Sequence, residues 1–300
     1  MKLFSKSATN SAEAYLYKCK AHKLLSQLPP DSVDLIITSP PYFVGKEYDT
    51  SKSVTDFVAE LKRVLPEMAR SLKVGGSLCF QVGNHVQNGR LTPLDALIVG
   101  LLQLDDAFIL RNRIIWTFGH GTHASKRFSG RHETILWYTK GSSYYFDLDA
   151  VRVPQRYPGK RHYKGPKKGE WSGNPLGKNP SDIWDIGDVW DIPNVKAKHI
   201  EKTEHPCQFP TALVRRLITA LSPEGGVVVD PYMGAGTTAI SALIEGRNVM
   251  GCDLEQKYLE IAQDRIDSLV RGETNIREDI PIRVPNPQES VSKTPPHFRQ

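Results

Sequence analysis

Gly226-Val227-Val228-Val229-Asp230-Pro231-Tyr232-Met233-Gly234-Ala235-Gly236-Thr237-Thr238 is a short apolar run that ends on an acid and breaks into a proline and glycine turn. Three consecutive valines without a polar partner fit a strand buried on both faces, and Thr237 to Glu245 continues as a helix. Asn248-Val249-Met250-Gly251-Cys252-Asp253 is the next strand. Strand, glycine loop, helix, strand is the order of a Rossmann-like βαβ unit. Gly234 and Gly236 let the backbone approach a ligand closely and turn into a helix whose first amides lack partners. Asp253, 17 residues past Gly236, falls where a carboxylate can accept both hydroxyls of a ribose. The pattern predicts an adenosine-containing ligand. A tight strand-to-helix turn with a solvated Asp is the plain alternative, and Ala239, three residues after Gly236, leaves a dinucleotide open on spacing alone.

Upstream, Asp31-Ser32-Val33-Asp34-Leu35-Ile36-Ile37-Thr38 predicts a second buried parallel strand, closed by Ser39-Pro40-Pro41-Tyr42. Apolar residues at Phe57, Val58, Leu61, Val64, Leu65 and Met68 give a helix over Val54 to Leu72. Gly75-Gly76 predicts a turn into a strand at Ser77 to Val82. Pro93 to Leu104 predicts a helix, Ile109 to Phe118 and Thr134 to Thr139 strands, and Pro210 to Leu221 and Gln256 to Leu269 closing helices. The alternation predicts an α/β fold, Rossmann-like, with a mixed, mostly parallel sheet. Between Lys140 and His205 the periodicity is lost and Pro, Gly, Trp and basic residues crowd in, which predicts an inserted lobe. The chain therefore divides into residues 1–140 and 205–270 as two halves of one domain, 141–204 as the lobe, and 271–300 as a tail. Five prolines after Glu278 and few apolar residues predict that the tail is extended or disordered.

A net charge of +6 and a pI near 9.0 suit a polyanionic partner, since each cation that meets a phosphate releases condensed counterions. Cys19, Cys79, Cys207 and Cys252 show no paired spacing and read as reduced thiols. No run approaches the roughly 20 apolar residues of a membrane helix, and no signal-like segment follows Met1, so a cytoplasmic location is expected. His120, His123 and His162 lack the spacing of metal ligands and read as loop residues, so no metal is expected.

Both loops end buried strands of one domain, so both should open on the same sheet edge. The Ser39 loop suits chemistry at a nucleobase's exocyclic amine, whose lone pair is delocalised into the ring and must be drawn out by fixed acceptors. The Ser39 hydroxyl and Pro40 carbonyl can accept the two amine protons, the prolines stiffen the loop, and Tyr42 can stack on an extruded base. The plain alternative is a rigid proline turn with a surface aromatic.

Three stretches carry a resemblance. Asp31-Ser32-Val33-Asp34 leading into Thr38-Ser39-Pro40-Pro41-Tyr42, His205-Pro206-Cys207-Gln208-Phe209-Pro210 before a helix, and Asp230 to Thr238 resemble the amino-group DNA methyltransferases of the β arrangement, over about Tyr15 to Val270. In that arrangement the catalytic loop comes first, the target-recognition region second and the cofactor loop last. The resemblance implies S-adenosylmethionine as cofactor, methyl transfer to an exocyclic amine of a flipped base in double-stranded DNA, a target-recognition role for the lobe, and a homodimer. It implies that Ser39, Pro40, Pro41 and Tyr42 hold and activate the base. It implies cofactor binding by Asp34, Thr38, Asp230, Tyr232, Gly234, Gly236, Thr237, Thr238 and Asp253, with His205 and Pro206 beside the methionine end. Arg131-His132-Glu133 also resembles a family stretch, although a capped strand entry accounts for it equally. Where many members carry a Gly-Asp pair before the first helix, this chain has Cys19-Lys20, which puts a contact to the cofactor adenine in doubt.

Within the lobe, Arg152, Arg156, Arg161, Lys164, Lys167 and Lys168 interleave with Tyr157, Tyr163, Trp171, Trp184 and Trp190. With Lys46, His120 and Arg131 outside it, these cations are the expected DNA contacts. Trp184 and Trp190 sit in an apolar and acidic run and read as the lobe's own core. N6 of adenine is the favoured target and N4 of cytosine the alternative. Ser-Pro-Pro-Tyr leans toward cytosine across the family, whereas the continuation Gly45-Lys46-Glu47-Tyr48 is similar to stand-alone adenine enzymes. A non-catalytic DNA-binding protein on the same scaffold, and methylation of RNA or of a protein amide, are further readings that the intact motifs and their order disfavour.

Overall fold

The computed structural model describes residues 2–41, 53–103, 106–118, 123–154, 160–184, 192–196 and 199–277. Eleven strands and six helices follow in the order β1 (Lys2–Ala8), β2 (Glu13–Lys18), α1 (Ala21–Leu25), β3 (Val33–Thr38), α2 (Val54–Ser71), β4 (Leu72–Val82), β5 (Asn84–Gln87), β6 (Arg90–Pro93), α3 (Leu94–Leu102), β7 (Phe108–Thr117), β8 (His132–Lys140), β9 (Ile183–Trp184), α4 (Thr211–Leu221), β10 (Val227–Asp230), α5 (Thr237–Ile244), β11 (Asn248–Asp253) and α6 (Gln256–Val270). Nine strands form one sheet in the order β1-β2-β11-β10-β3-β4-β8-β7-β9. Its centre, β2 to β4, is parallel, while β1, β8 and β7 join by antiparallel pairing. The mixed, mostly parallel Rossmann-like sheet is the expected one.

Central strands are buried on both faces, and β3 has all six residues buried. The strands feed two apolar layers, one on each face of the sheet. Leu35, Ile37 and Val228 pack with α4, α5 and α6, and Val33, Ile36 and Val229 pack with α1, α2 and α3. Ser53 caps α2 by accepting from the Asp56 amide at 3.2 Å, and that helix buries Phe57, Leu61, Val64, Leu65 and Met68, the stripe its spacing predicts.

Gly75 and Gly76, expected as a turn, lie instead inside β4, which begins directly at the end of α2. A Cβ on Gly75 would stand 3.0 Å from the Ser143 carbonyl, and one on Gly76 3.0 Å from the Asp34 carbonyl. The pair permits close backbone approach within the strand rather than a reversal. The described residues of the stretch 141–204 contribute little regular structure. They add β9 to the sheet edge beside β7, a 3-10 turn at Asp149–Val151 and two isolated bridges. Trp116 Nε1 donates to the Ile192 carbonyl at 2.8 Å, binding this stretch to the sheet.

Candidate active site

From β3 the chain crosses to β4 on one side, and from β10 to β11 on the other, although β3 and β10 are neighbours. A crevice opens at the carboxyl ends of two strands that diverge in this way. Ser39-Pro40-Pro41 leaves β3 there, and Pro231 to Gly236 leaves β10.

Asp230 ties the two loops together. Its Oδ1 accepts from the Thr38 hydroxyl at 2.7 Å and the Tyr232 amide at 3.0 Å, and its Oδ2 from the Thr238 hydroxyl at 2.6 Å. The carboxyl is fully buried. Burial pushes its pKa up to about 6, against the pull of those three donors. The end of β3, the start of the glycine loop and the first turn of α5 thus share one buried acceptor.

In front of this brace lies a cavity of about 360 Å³. Ser39, Pro40 and Pro41 form one wall. Tyr232, Gly234, Thr237, His205 and Asp253 form the cofactor-loop side. Asp253 accepts from the Gly234 amide at 3.0 Å through Oδ2 and from the Glu255 amide at 2.9 Å through Oδ1. Burial raises its pKa, opposed by those backbone donors. Gly234 and Gly236 hold φ of +50° and +75°, a conformation natural to glycine. A Cβ on Gly234 would stand 2.9 Å from His205 Nε2, and one on Gly236 2.7 Å from the Ala262 Cβ. The loop is therefore pressed between the 205–210 segment and α6. The His205 ring meets the Tyr258 ring edge-on at 4.4 Å.

Of the residues expected to hold cofactor, Thr38, Asp230, Thr238, Gly236 and Pro206 do not line the cavity; the first three stand behind its wall as the brace. Asp34 is not brought to the site at all. It sits about 13 Å down β3 from Thr38 at the usual rise per residue, paired with Lys73 at 2.7 Å and accepting from the Val227 amide at 2.8 Å. The physical reason is its position at the amino end of the strand, where it joins β3 to β10 rather than meeting the crevice. Tyr42, Lys46, His120, Arg156, Tyr157 and Trp190 lie outside the described residues.

The expected DNA contacts divide. Lys164, Lys167 and Lys168 are exposed, Lys164 lies 5.3 Å over the Tyr163 ring, and Arg161 lies 4.2 Å over the Trp171 ring. Tyr163 and Trp171 are themselves exposed. Arg152 faces inward instead, joined to Asp149 at 2.6 Å and to the Gly177 carbonyl at 3.1 Å. Arg131 donates to the Gly130 carbonyl at 3.0 Å and lies 3.4 Å from the His123 ring. Trp184 is half-buried against the core, its Nε1 donating to the Ser181 carbonyl at 3.0 Å, with Arg216 over its ring.

Several site residues carry no motif. Asp56, Glu60 and Arg63 of α2 line the cavity, and the Tyr232 hydroxyl donates to Glu60 Oε1 at 3.1 Å. Burial and the neighbouring Glu60 hold that phenol well above its ordinary pKa. Arg265, partly buried in α6, donates to the Ala235 carbonyl at 2.6 Å and to Thr237 Oγ1 at 3.1 Å. Its guanidinium lies 4.0 Å from Glu201, which accepts from the Thr211 amide and hydroxyl. Cys19 and Lys20 do line the cavity, so the departure from the family pattern lies within the site. Among the described residues no group of three or more potential ligands is arranged for a metal, and no helix is long and apolar enough to cross a membrane.

Residues 33–264 match the model of a family described as DNA methylase, N6_N4_Mtase. The chain is 40% identical to the type II methyltransferase M.BglII of Bacillus subtilis over 89% of this chain and 71% of that protein. It is 32% identical to the DNA adenine methyltransferase YhdJ of Escherichia coli K12 over 81% and 79%. Among solved structures, a Thermus thermophilus protein assigned as a DNA modification methylase, in complex with S-adenosyl-L-methionine, superposes with a TM-score of 0.60 at 30% identity, covering 86% of this chain and 94% of that one. The cytosine-N4-specific PvuII DNA methyltransferase superposes with a TM-score of 0.65 over 91% and 98% at 18% identity, a likeness of fold.

Proposed function

The chain belongs to the N6/N4 DNA methylase family, and from that premise we propose that it methylates N6 of adenine within a specific sequence of duplex DNA. It is an S-adenosylmethionine-dependent DNA methyltransferase; the choice of base is the proposal. The observation that carries the reading is the convergence of Ser39-Pro40-Pro41 and the 231–237 loop on one cavity, joined behind by Asp230. The similarity to an enzyme named for adenine, at 32% identity, supports the choice of adenine, as does the Gly45 to Tyr48 continuation.

The residues present fit the cofactor. Asp253 places a mostly buried carboxylate at the end of β11, suited to a ribose, and Gly234 offers side-chain-free backbone beside it. When bound, the cofactor supplies an electrophilic methyl on its sulfonium. Ser39 and Pro40 then hold the target amine by accepting its protons, and the lone pair turns toward the methyl. After transfer the nitrogen is briefly cationic and sheds a proton readily, so fixed acceptors suffice without a strong base. Tyr42 stacks on the extruded base. The exposed cations and rings at 161–171 meet the duplex. A homodimer is the expected assembly, which sedimentation would test.

N4 of cytosine is the second reading, favoured by the Ser-Pro-Pro-Tyr form of the loop. Digestion of DNA methylated by the purified enzyme to nucleosides separates the two. N6-methyladenine is the expected product, and N4-methylcytosine alone would overturn the choice of adenine.

A further inference from the structure

Phe128 is 99% exposed, an orientation that keeps a whole aromatic ring in water. Single exposed apolar residues are common on soluble proteins, so exposure alone assigns nothing. Three further observations give this ring a place.

The first is location. β3 runs parallel to β4, β4 antiparallel to β8, and β8 antiparallel to β7. The carboxyl end of β7 is therefore at the same sheet edge as the carboxyl end of β3, where Ser39 lies. The described residues 123–131, which include Phe128, lead into the amino end of β8 at that edge.

The second is construction. The Phe118 amide donates to the Arg131 carbonyl at 2.9 Å and closes the base of the connection. The Ala124 amide donates to Ser129 Oγ at 3.1 Å and closes a short loop whose residues 125–128 are exposed. Phe118 is anchored below by an edge-on contact with Trp116 at 5.2 Å.

The third is charge. Lys126 and Arg127 immediately precede the ring and are exposed, and Arg131 follows it. An apolar ring between surface cations matches a duplex, which offers phosphates on its outside and base faces within.

Methylation of an exocyclic amine inside this cavity requires the target to leave the helix, because the amine is otherwise stacked and paired. The vacated space costs stacking energy until something apolar fills it. We infer that Phe128 is the residue that enters the duplex and occupies that space, with Lys126 and Arg127 on the flanking phosphates. It is a positioning residue, acting on the extrusion equilibrium rather than on the methyl. The inference rests on the duplex-DNA reading above and not on which base is methylated.

The test uses the full chain and a duplex containing the sequence mapped from the wild-type enzyme's own methylation, with 2-aminopurine beside the target. Wild-type transfer to that duplex verifies the underlying reading in the same assay. For Phe128→Ala, both the 2-aminopurine signal of the unstacked state and the single-turnover transfer rate should fall about tenfold, the loss expected for one base-to-aromatic contact. S-adenosylmethionine affinity by calorimetry should be unchanged. On a duplex with a mismatch opposite the target, where extrusion is cheaper, the variant should recover to within about threefold of wild type. Phe128→Trp should retain activity on both. Wild-type rates for Phe128→Ala on the matched duplex, an equal deficit on both duplexes, or a change in sedimentation mass marking the ring as a contact between protein chains would overturn the inference.

Discussion

Replacing Asp230 by Asn isolates the energetic cost of the charge that joins the two active-site loops. The carboxyl is fully buried, and its pKa is pushed up to about 6 from 3.8. A folded-state value above the unfolded one means that this group favours the fold at low pH. That contribution is complete below about pH 4 and is lost as pH rises through 6. Two pKa units correspond to about 3 kcal/mol at neutral pH. Asn keeps the acceptor for Thr38 and the Tyr232 amide, and its amide can donate to Thr238, whose hydroxyl rotates to accept. Relative to wild type, Asp230→Asn should therefore be more stable by roughly 1 kcal/mol at pH 4.5 and by up to about 3 kcal/mol at pH 7.5. Asp230→Ala should be destabilised at both pH values, because three buried donors lose their partner at about 1 kcal/mol or more each. Urea unfolding of the three proteins from pH 4.5 to 8 measures this directly. An Asp230→Asn variant less stable than wild type at pH 7.5, or a difference that does not vary with pH, would refute the reasoning. Since Asp230 stands behind the cavity wall, its Asn variant should also bind S-adenosylmethionine within about threefold of wild type, a margin below 1 kcal/mol.

If Asp253 holds the ribose as proposed, Asp253→Ala should weaken S-adenosylmethionine binding by about 100-fold or more in calorimetry, through the loss of two charge-assisted hydrogen bonds. Gly236→Ala should cost a few kcal/mol in thermal or urea unfolding, from a φ of +75° and a Cβ 2.7 Å from Ala262. Adding Ala262→Gly should recover only the packing part, leaving the backbone cost. Simultaneous Ala substitution of Lys164, Lys167 and Lys168 should reduce the slope of log affinity against log salt for duplex DNA by roughly 2 to 3, read by fluorescence anisotropy. An unchanged slope would remove that surface from the DNA interface.

Most of the central elements were legible because their signals are local. Val227 to Val229 and Leu35 to Ile37 are continuous apolar runs, which strands buried on both faces require. The stripe from Phe57 to Met68 in α2 is the period of a helix with one face in the core. Residues 2–25 gave no such signal. In β1, Lys2-Leu3-Phe4-Ser5-Lys6-Ser7-Ala8 alternates poorly and is mostly exposed, being an edge strand whose conformation is set by pairing with β2 rather than by burial. The five-residue α1 is too short to show a period. Gly75 and Gly76 misled for a related reason. Glycine signals permissive backbone, and only the approach of the Ser143 and Asp34 carbonyls determines that the permission is used inside a strand.

Chemistry-bearing residues divided along the same line. The placement of Ser39, Pro40, Gly234 and Asp253 at the cavity was readable because a strand end followed by proline or glycine is a local pattern with a known place in an α/β sheet. Glu60 and Arg63 at the cavity, and Arg265 and Glu201 behind the 235–237 loop, were not, since each comes from a helix or connection remote in sequence and has no motif of its own. Asp34 and Asp230 show the limit most sharply. Both are acids on adjacent buried strands, and both were expected at the cofactor. Asp34 stands near the start of its strand and Asp230 closes its own, but only the tertiary structure commits the first to Lys73 and the Val227 amide and turns the second into a brace. By itself, then, the sequence determined the strand-loop-helix units, their order and the chemistry available at their ends. The fold alone decided which polar atoms are consumed internally and which face the cavity, because that depends on through-space distance and desolvation, and neither is encoded in spacing along the chain.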